Sequence, residues 1–169
     1  MRNVNDLAHS LGLGAPYHVG IALSDLDDGI RRFRELIGLD GWATLDAEVP
    51  AVYRGTESVA GIRSAFARSG GLLIELVQPT IGSFTAKTFL EERGEGIYHL
   101  GYLVEDMTST LDRASALGIG VDWMLPSDRG PLAVYLDSRE TMGVHLELVH
   151  PSMVRLVENL LEKDEAARG

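Results

Sequence analysis

The chain has 169 residues, with 15 Lys or Arg, 25 Asp or Glu and no Cys. Its formal net charge of -10 argues against nucleic acid or an anionic membrane surface as the main partner, because both need a basic surface. The lack of Cys excludes a disulfide scaffold, a zinc-finger cluster, an iron–sulfur site and a thiol nucleophile. Any bound metal must therefore have nitrogen and oxygen ligands. The length fits one domain or two very small ones.

Neither a membrane span nor a secretory signal is expected. No apolar run approaches the roughly 18 residues of a membrane-spanning helix. Residues 1–13 carry one Arg and no long apolar stretch, so they do not resemble a secretory signal. We therefore expect a cytoplasmic protein that has neither a membrane nor a nucleic acid as its partner.

The first half of the chain predicts the element order β-α-β-β-β. Residues 17–23 form a short, partly β-branched apolar run, which indicates a strand. Ser24 or Asp25 can cap the helix that follows, and Gly38 ends it. Three further strands are predicted at 42–49, 59–67 and 71–78, with a turn at 69–71 between the last two.

The second half repeats this order. The sequence YHVGIALSDL at 17–26 matches YHLGYLVEDM at 98–107, and LLIELVQP at 72–79 matches VHLELVHP at 144–151. Two matching segments in the same order indicate that one βαβββ module occurs twice. In the second copy we predict elements at 98–104 (strand), 107–117 (helix), and 120–125, 131–137 and 143–149 (strands).

The predicted organisation is one α+β domain with an internal duplication. The first module spans 16–79, a linker with a short helix near 86–93 spans 80–97, and the second module spans 98–151. Residues 152–169 form a C-terminal helix and tail. We expect the apolar face of that helix to pack on the body or on a second subunit, and its charged end, 162–169, to fray.

Two His and two Glu occupy equivalent positions in the two modules. Strand alternation places each of them on one face of its strand, and an acidic residue within an apolar strand is costly unless it is paired or binds a metal. A single site between the modules is therefore predicted, with Zn, Co, Ni, Mn or Fe as candidate ions. The alternative is hydrogen-bonded core histidines and surface acids. The four residues are His18, Glu75, His99 and Glu147.

This order of residues in a duplicated βαβββ module resembles the vicinal oxygen chelate superfamily. That superfamily includes glyoxalase I, methylmalonyl-CoA epimerase, extradiol dioxygenases and drug-sequestering proteins. FLEERGEGIYHLGYLVEDM at 89–107 and IELVQP at 74–79 are most similar to the epimerase branch. The resemblance implies a cup-shaped sheet around a divalent metal, with His18, Glu75, His99 and Glu147 at the ligand positions, in a homodimer.

The resemblance also implies a reaction. The chain would be a metal-dependent isomerase or epimerase that moves a proton alpha to a metal-polarised carbonyl, with a small carbonyl compound, such as an acyl-CoA, as substrate. Glu147 matches one base of the epimerases. Their second base, a Glu, aligns with Ser64 here, and serine cannot act as that base without an activator. One remaining base still allows a one-sided proton transfer, as in an isomerase or a lyase.

Three further residues are weaker candidates. His145 lies two residues before Glu147 and so on the same face, where an imidazole can move a proton near neutral pH; the alternative is a hydrogen-bonded core histidine. Phe66 and Tyr135 are candidates to line a substrate pocket with Ser64, although aromatic residues in strands are commonly core.

Two other functions fit the same fold. A non-haem iron dioxygenase uses a His-His-Glu triad with open coordination positions, and Glu75 as a fourth ligand argues against it. A protein that only binds or sequesters a small molecule can use the same cup, but such proteins generally lack the metal ligands.

Overall fold

A computed structural model describes residues 7–169 of the chain. Residues 1–6, which belong to the segment judged unlike a secretory signal, lie outside the described residues. Within 7–169 no helix is both long and apolar enough to cross a membrane. The elements in chain order are α1 (Leu7–Ser10), β1 (His18–Ala22), α2 (Leu26–Ile37), β2 (Ala43–Tyr53), β3 (Thr56–Ser69), β4 (Leu72–Gly82), α3 (Thr85–Arg93), β5 (Gly96–Leu103), α4 (Met107–Ala116), β6 (Val121–Leu125), β7 (Ala133–Leu136), α5 (Arg139–Met142), β8 (His145–Val149) and α6 (Pro151–Arg168).

The strands form one closed barrel, in the order β1-β4-β3-β2-β6-β7-β8-β5. Each half of the chain contributes four neighbouring strands, and the halves meet where β1 pairs with β5 and where β2 pairs with β6. The second of these seams is short, since only two residue pairs join its strands. The predicted α+β class with a cup-shaped sheet is confirmed, and the barrel interior lies between the two halves.

The helices that cover the outside of the barrel begin and end where their capping residues predict. The Asp25 side chain accepts a hydrogen bond from the backbone N–H of Asp28 at 2.9 Å, and Gly38 ends α2 with a left-handed φ of 68°. Asp106 caps α4 in the same way through the N–H of Ser109. Leu26 of α2 and Met107 of α4 are buried in two separate clusters outside the barrel, which leaves the interior for other residues.

Different elements pack at the two ends of the barrel. At one end, α3 and the residue directly before it, Phe84, pack on the barrel. Phe84 contacts the rings of Trp123 and Tyr135, and these three residues form the aromatic group under α3. At the other end, Val157 and Leu161 of α6 pack against interior residues of β2, β3 and β4. The apolar face predicted for the C-terminal helix therefore packs on the body of its own chain.

Several elements differ from prediction. Strands β2 and β3 run on to a tight hairpin in which Arg54 and Gly55 both have positive φ, as a type I′ turn requires. The short helices α1 and α5 were not predicted. In the segment 162–169, where we expect fraying, α6 continues to Arg168, which pairs with Asp164 one turn earlier.

Candidate metal centre

Four neighbouring strands, β4, β1, β5 and β8, carry the four predicted ligands into the barrel interior. In the register of the sheet, Gly20 of β1 lies between Glu75 of β4 and His99 of β5. Gly101 of β5 lies in the same way between His18 of β1 and Glu147 of β8. The two halves thus contribute equivalent pairs, one His and one Glu each, on either side of the β1–β5 seam.

The side chains of these four residues converge. The Nε2 atoms of His18 and His99 are 2.6 Å apart. Glu147 Oε2 lies 2.9 Å from the first and 3.1 Å from the second. Glu75 Oε2 lies 3.4 Å from both. One potential ligand atom from each residue falls within 4.8 Å of all the others, so the predicted set is brought together in full.

The glycine of the repeated His-x-Gly motif makes room for this convergence. A Cβ on Gly20 would stand 1.9 Å from Cε1 of His99, and a Cβ on Gly101 would stand 2.0 Å from Cε1 of His18. Each histidine ring therefore lies against the glycine of the other half. The motif is visible in the sequence, but the contact between halves requires the register of β1 on β5.

The donor set fits a divalent ion. Glu147 Oε2 lies close to Nε2 of both imidazoles but forms no hydrogen bond within the described residues. The Nδ1 atoms of His18 and His99 are likewise buried without a hydrogen-bond partner among those residues. Such convergence suits ligands directed at a shared point. Two imidazole nitrogens and two carboxylate oxygens are the donors that borderline divalent metals take, at about 2.0–2.2 Å from the ion.

The electrostatics of the cluster favour positive charge. Burial opposes ionisation of Glu75 and Glu147, but their contacts with the two histidines outweigh it and hold the pKa of each carboxyl below its ordinary range. Burial likewise opposes the charged form of His18, yet its contacts with Glu147 and Glu75 raise its pKa to about 10. The pKa of His99 is raised in the same way. A bound divalent cation would take the place of these protons.

Ser64 lies beside the cluster, on β3. Its hydroxyl donates to Glu75 Oε1 at 3.1 Å in a fully buried position. This bond leaves Glu75 Oε2 directed at the histidines, which is how a neighbouring polar group commonly orients a metal ligand. The position that the resemblance assigns to a second base is thus held by a hydroxyl that supports Glu75.

Aromatic rings pack against both histidines. The ring of Tyr17 meets His18 edge-on at 5.5 Å, and Tyr98, its counterpart in the repeat, meets His99 edge-on at 4.4 Å. Tyr135 approaches His99 at 5.1 Å, and its hydroxyl lies 3.2 Å from that of Tyr98. Tyr135, a predicted pocket residue, therefore lies between His99 and the rest of the aromatic group under α3.

The other predicted pocket residue, Phe66, lies toward the opposite end. It pairs with Glu75 in the sheet and packs with Val157 and Leu161 of α6. All four ligands are buried: the side chain of His99 is fully buried among aromatic rings, that of His18 is 6% exposed, and those of Glu75 and Glu147 are 11% and 10% exposed.

His145 is buried near the cluster but does not belong to it. It pairs with His99 in the sheet, and its Nδ1 donates to the carbonyl of Leu136 at 3.1 Å. In the neutral ring, Nε2 is then the basic nitrogen. Burial lowers the pKa of His145, so the ring is neutral near pH 7 and Nε2 can accept a proton.

A buried carboxylate that the sequence interpretation missed lies at the α3 end. Asp122 is 2% exposed, and its two oxygens accept from Arg54 Nε at 2.9 Å and from the Thr85 hydroxyl at 2.8 Å. Asp122 thus joins the β2–β3 hairpin to the first residue of α3. Its signal in the sequence was one acidic residue in the apolar run 121–125.

Comparisons with known proteins agree with this architecture. An uncharacterised protein, YqjC, from Bacillus subtilis (strain 168) is 26% identical over 136 residues, which are 79% of this chain and 90% of that protein. The crystal structure of methylmalonyl-CoA epimerase from Mycobacterium tuberculosis superposes with a TM-score of 0.57 at 26% identity, covering 82% of this chain and 89% of that one.

A second solved structure shows the same fold. It is a methylmalonyl-CoA epimerase from Streptomyces coelicolor in complex with 2-nitronate-propionyl-CoA, with a TM-score of 0.54 and 22% identity over 82% of this chain and 97% of that one. The sequence model of one family matches residues 17–128. The chain therefore belongs to the Glyoxalase/Bleomycin resistance protein/Dioxygenase superfamily, the vicinal oxygen chelate family that its residues predicted.

Proposed function

We propose that the protein is a metal-dependent isomerase or epimerase that moves a proton on the carbon next to a carbonyl group. The observation that carries the proposal is the convergence of four donor atoms, from His18, His99, Glu75 and Glu147, inside the barrel. A divalent ion held by these residues would act as a Lewis acid toward a carbonyl oxygen and so acidify the adjacent C–H bond.

Glu147 is the residue we assign to the proton transfer. Its Oε2 faces both histidines, and the contacts with them keep its carboxyl ionised. The side chain of Glu147 is 10% exposed, whereas that of His99 is fully buried. A carboxylate in this place can accept a proton from a substrate carbon that is held beside the ligands. The Oε1 atom of Glu75 accepts a hydrogen bond from Ser64, and we assign Glu75 only to metal binding, with no part in the proton transfer.

His145 is the second group that we assign to proton transfer. It is neutral near pH 7, its basic nitrogen is fixed as Nε2 by the bond to Leu136, and it lies two residues from Glu147 on the interior side of β8. In the epimerases that the chain resembles, inversion needs a base on each face of the carbon. With Ser64 bonded to Glu75, His145 is the remaining candidate for the second proton.

The substrate class follows from the same arguments. We propose a small carbonyl compound, with acyl-CoA thioesters as the first class to test, because the structural relatives include methylmalonyl-CoA epimerases. A homodimer remains a prediction from the family resemblance. The fourth donor, Glu75, favours this function over a dioxygenase, since it occupies a position that dioxygen or substrate would need.

Solvent exchange tests the proposal. The metal-loaded protein is incubated in D2O with one enantiomer of methylmalonyl-CoA, and both deuterium uptake and inversion at C2 are followed by NMR. We expect exchange well above that of a Glu147→Gln control. Exchange with inversion indicates an epimerase, and exchange without inversion indicates a one-sided proton transfer. Exchange equal to the control, repeated over a panel of 2-substituted acyl-CoA and 2-oxo acid compounds, contradicts the proposed reaction.

A further inference from the structure

The two halves of the centre are supported by different parts of the chain. Each ligand histidine has a tyrosine directly before it in sequence, with its ring edge-on to the imidazole. Tyr98 is held within the barrel, where its hydroxyl meets that of Tyr135. Tyr17 instead donates its hydroxyl proton to Glu158 Oε1 of α6 at 2.9 Å. The first half of the centre is thus tied to the C-terminal helix.

Glu158 is itself fixed in place. Arg68 of β3 pairs with the same carboxylate, which lowers the pKa of Glu158 despite its partial burial. On either side of it along α6, Val157 and Leu161 pack on Phe66 and Leu73.

Phe66 and Leu73 are direct neighbours of two metal ligands in the sheet. In the sheet Leu73 pairs with His18, and Phe66 pairs with Glu75. The helix therefore rests on the neighbours of both ligands that the first half supplies.

His18 depends on packing for its orientation. Its Nδ1 is buried and has no hydrogen-bond partner within the described residues, so no acceptor among them fixes the plane of the ring. Gly101 lies against the ring, and the rings of His99 and Tyr17 stand perpendicular to it at centroid distances of 4.8 Å and 5.5 Å, so these three contacts limit its rotation. The position of Tyr17 is in turn set by the bond from its hydroxyl to Glu158.

We propose that Glu158 is a positioning residue for the metal ligand His18 and acts through Tyr17. The C-terminal helix is then part of the metal centre, although it contributes no ligand. This inference rests on the metal site of the proposed function and adds to it a residue that lies outside the barrel.

Cobalt(II) binding tests the proposal, because both the affinity and the visible spectrum of the ion report ligand geometry. We expect Tyr17→Phe and Glu158→Leu each to weaken Co²⁺ binding by about tenfold, the lower end of what loss of a residue that orients a metal ligand costs, and to alter the visible bands. Glu158→Gln keeps an oxygen acceptor for Tyr17 and should restore most of the affinity. The double variant should lose no more affinity for Co²⁺ than either single variant, because both changes remove the same hydrogen bond between Tyr17 and Glu158.

A matched control separates positioning from general stability. Glu162→Leu alters an exposed site one turn further along α6 and should bind Co²⁺ as the wild type does. If the wild type binds none of Co²⁺, Zn²⁺, Ni²⁺, Mn²⁺ and Fe²⁺, the proposed function itself fails; if it binds another of these ions but not Co²⁺, the variants are compared in their affinity for that ion. If it binds and Tyr17→Phe, folded by circular dichroism, keeps its affinity within about twofold and its spectrum unchanged, the role of Glu158 is overturned.

Discussion

The imidazole of His99 lies directly against the backbone of Gly20, so closely that a Cβ on Gly20 would stand 1.9 Å from the ring. The equivalent contact joins His18 to Gly101. The glycine of each half thus shapes the position of the ligand that the other half supplies. Because neither glycine has a left-handed φ, the requirement for glycine comes from this contact and not from the conformation of the backbone.

Replacing either glycine should displace a ligand. We expect Gly20→Ala and Gly101→Ala to lower affinity for Co²⁺ or Zn²⁺ by at least about tenfold, as changes around a ligating histidine commonly do. Gly71→Ala is the matched control, because a Cβ there would meet no atom within 4 Å. Isothermal titration calorimetry measures the effect. Wild-type affinity in both variants would show that the rings can shift without loss of coordination.

His145→Leu should reduce turnover while leaving metal content intact. The change removes the basic Nε2 but places a side chain of similar size among buried neighbours. A decrease of at least about tenfold in kcat is expected for the loss of an acid–base group. The measurement is steady-state kinetics on the substrate found by solvent exchange, with metal quantified in the same samples. Unchanged turnover would assign His145 to packing.

Asp122→Ala should destabilise the fold and spare the metal centre. The change leaves the buried Thr85 hydroxyl and the Arg54 guanidinium without their acceptor. We expect a loss of about 1–3 kcal/mol in the free energy of unfolding, as for an unsatisfied buried polar group. Urea unfolding of the variant is compared with that of Asp128→Ala, on an exposed loop. A loss of metal with full stability would instead connect Asp122 to the site.

Glu95 should make stability depend on acid pH. Its carboxylate accepts from the hydroxyl and backbone N–H of Ser24 and then from Arg32, and these contacts lower its pKa from 4.5 to about 2. A pKa that is lower in the folded state stabilises the protein above pH 4.5, and that stabilisation is lost as the pH falls from 4.5 toward 2.

The Glu95→Gln variant isolates this contribution. Wild type should be the more stable at pH 7, and the difference in the free energy of unfolding should shrink as the pH falls through this window. Glu57→Gln, at an exposed position of the β2–β3 hairpin, is the matched control. A difference that stays constant from pH 7 to about 2.5 would contradict the linkage.

Much of the centre could be predicted because strand alternation is regular. The period of two places His18, Glu75, His99 and Glu147 on interior faces, and the duplication indicates that they share one site. Helix ends could be predicted for a local reason too: a side chain such as Asp25, or a left-handed glycine such as Gly38, acts within a few residues.

What escaped prediction depends on contacts between distant strands. Tyr98 and Asp122 lie at irregularities of register, where alternation along one strand no longer tells which way a residue points. The strand predicted to end at 49 continues, as β2, through Pro50. Its missing N–H is tolerated because β6 pairs only with Val52 and Tyr53, which leaves that edge of β2 open.

The most direct test of the central claim is metal content. Wild-type protein and a His99→Leu variant are dialysed in turn against Zn²⁺, Co²⁺, Ni²⁺, Mn²⁺ and anaerobic Fe²⁺, and the bound metal is quantified by mass spectrometry. We predict about one tightly bound ion per wild-type chain for at least one of these metals, and loss of that ion in the variant. Less than about a tenth of an equivalent of every metal in the wild type would contradict the assignment of these residues as a metal centre.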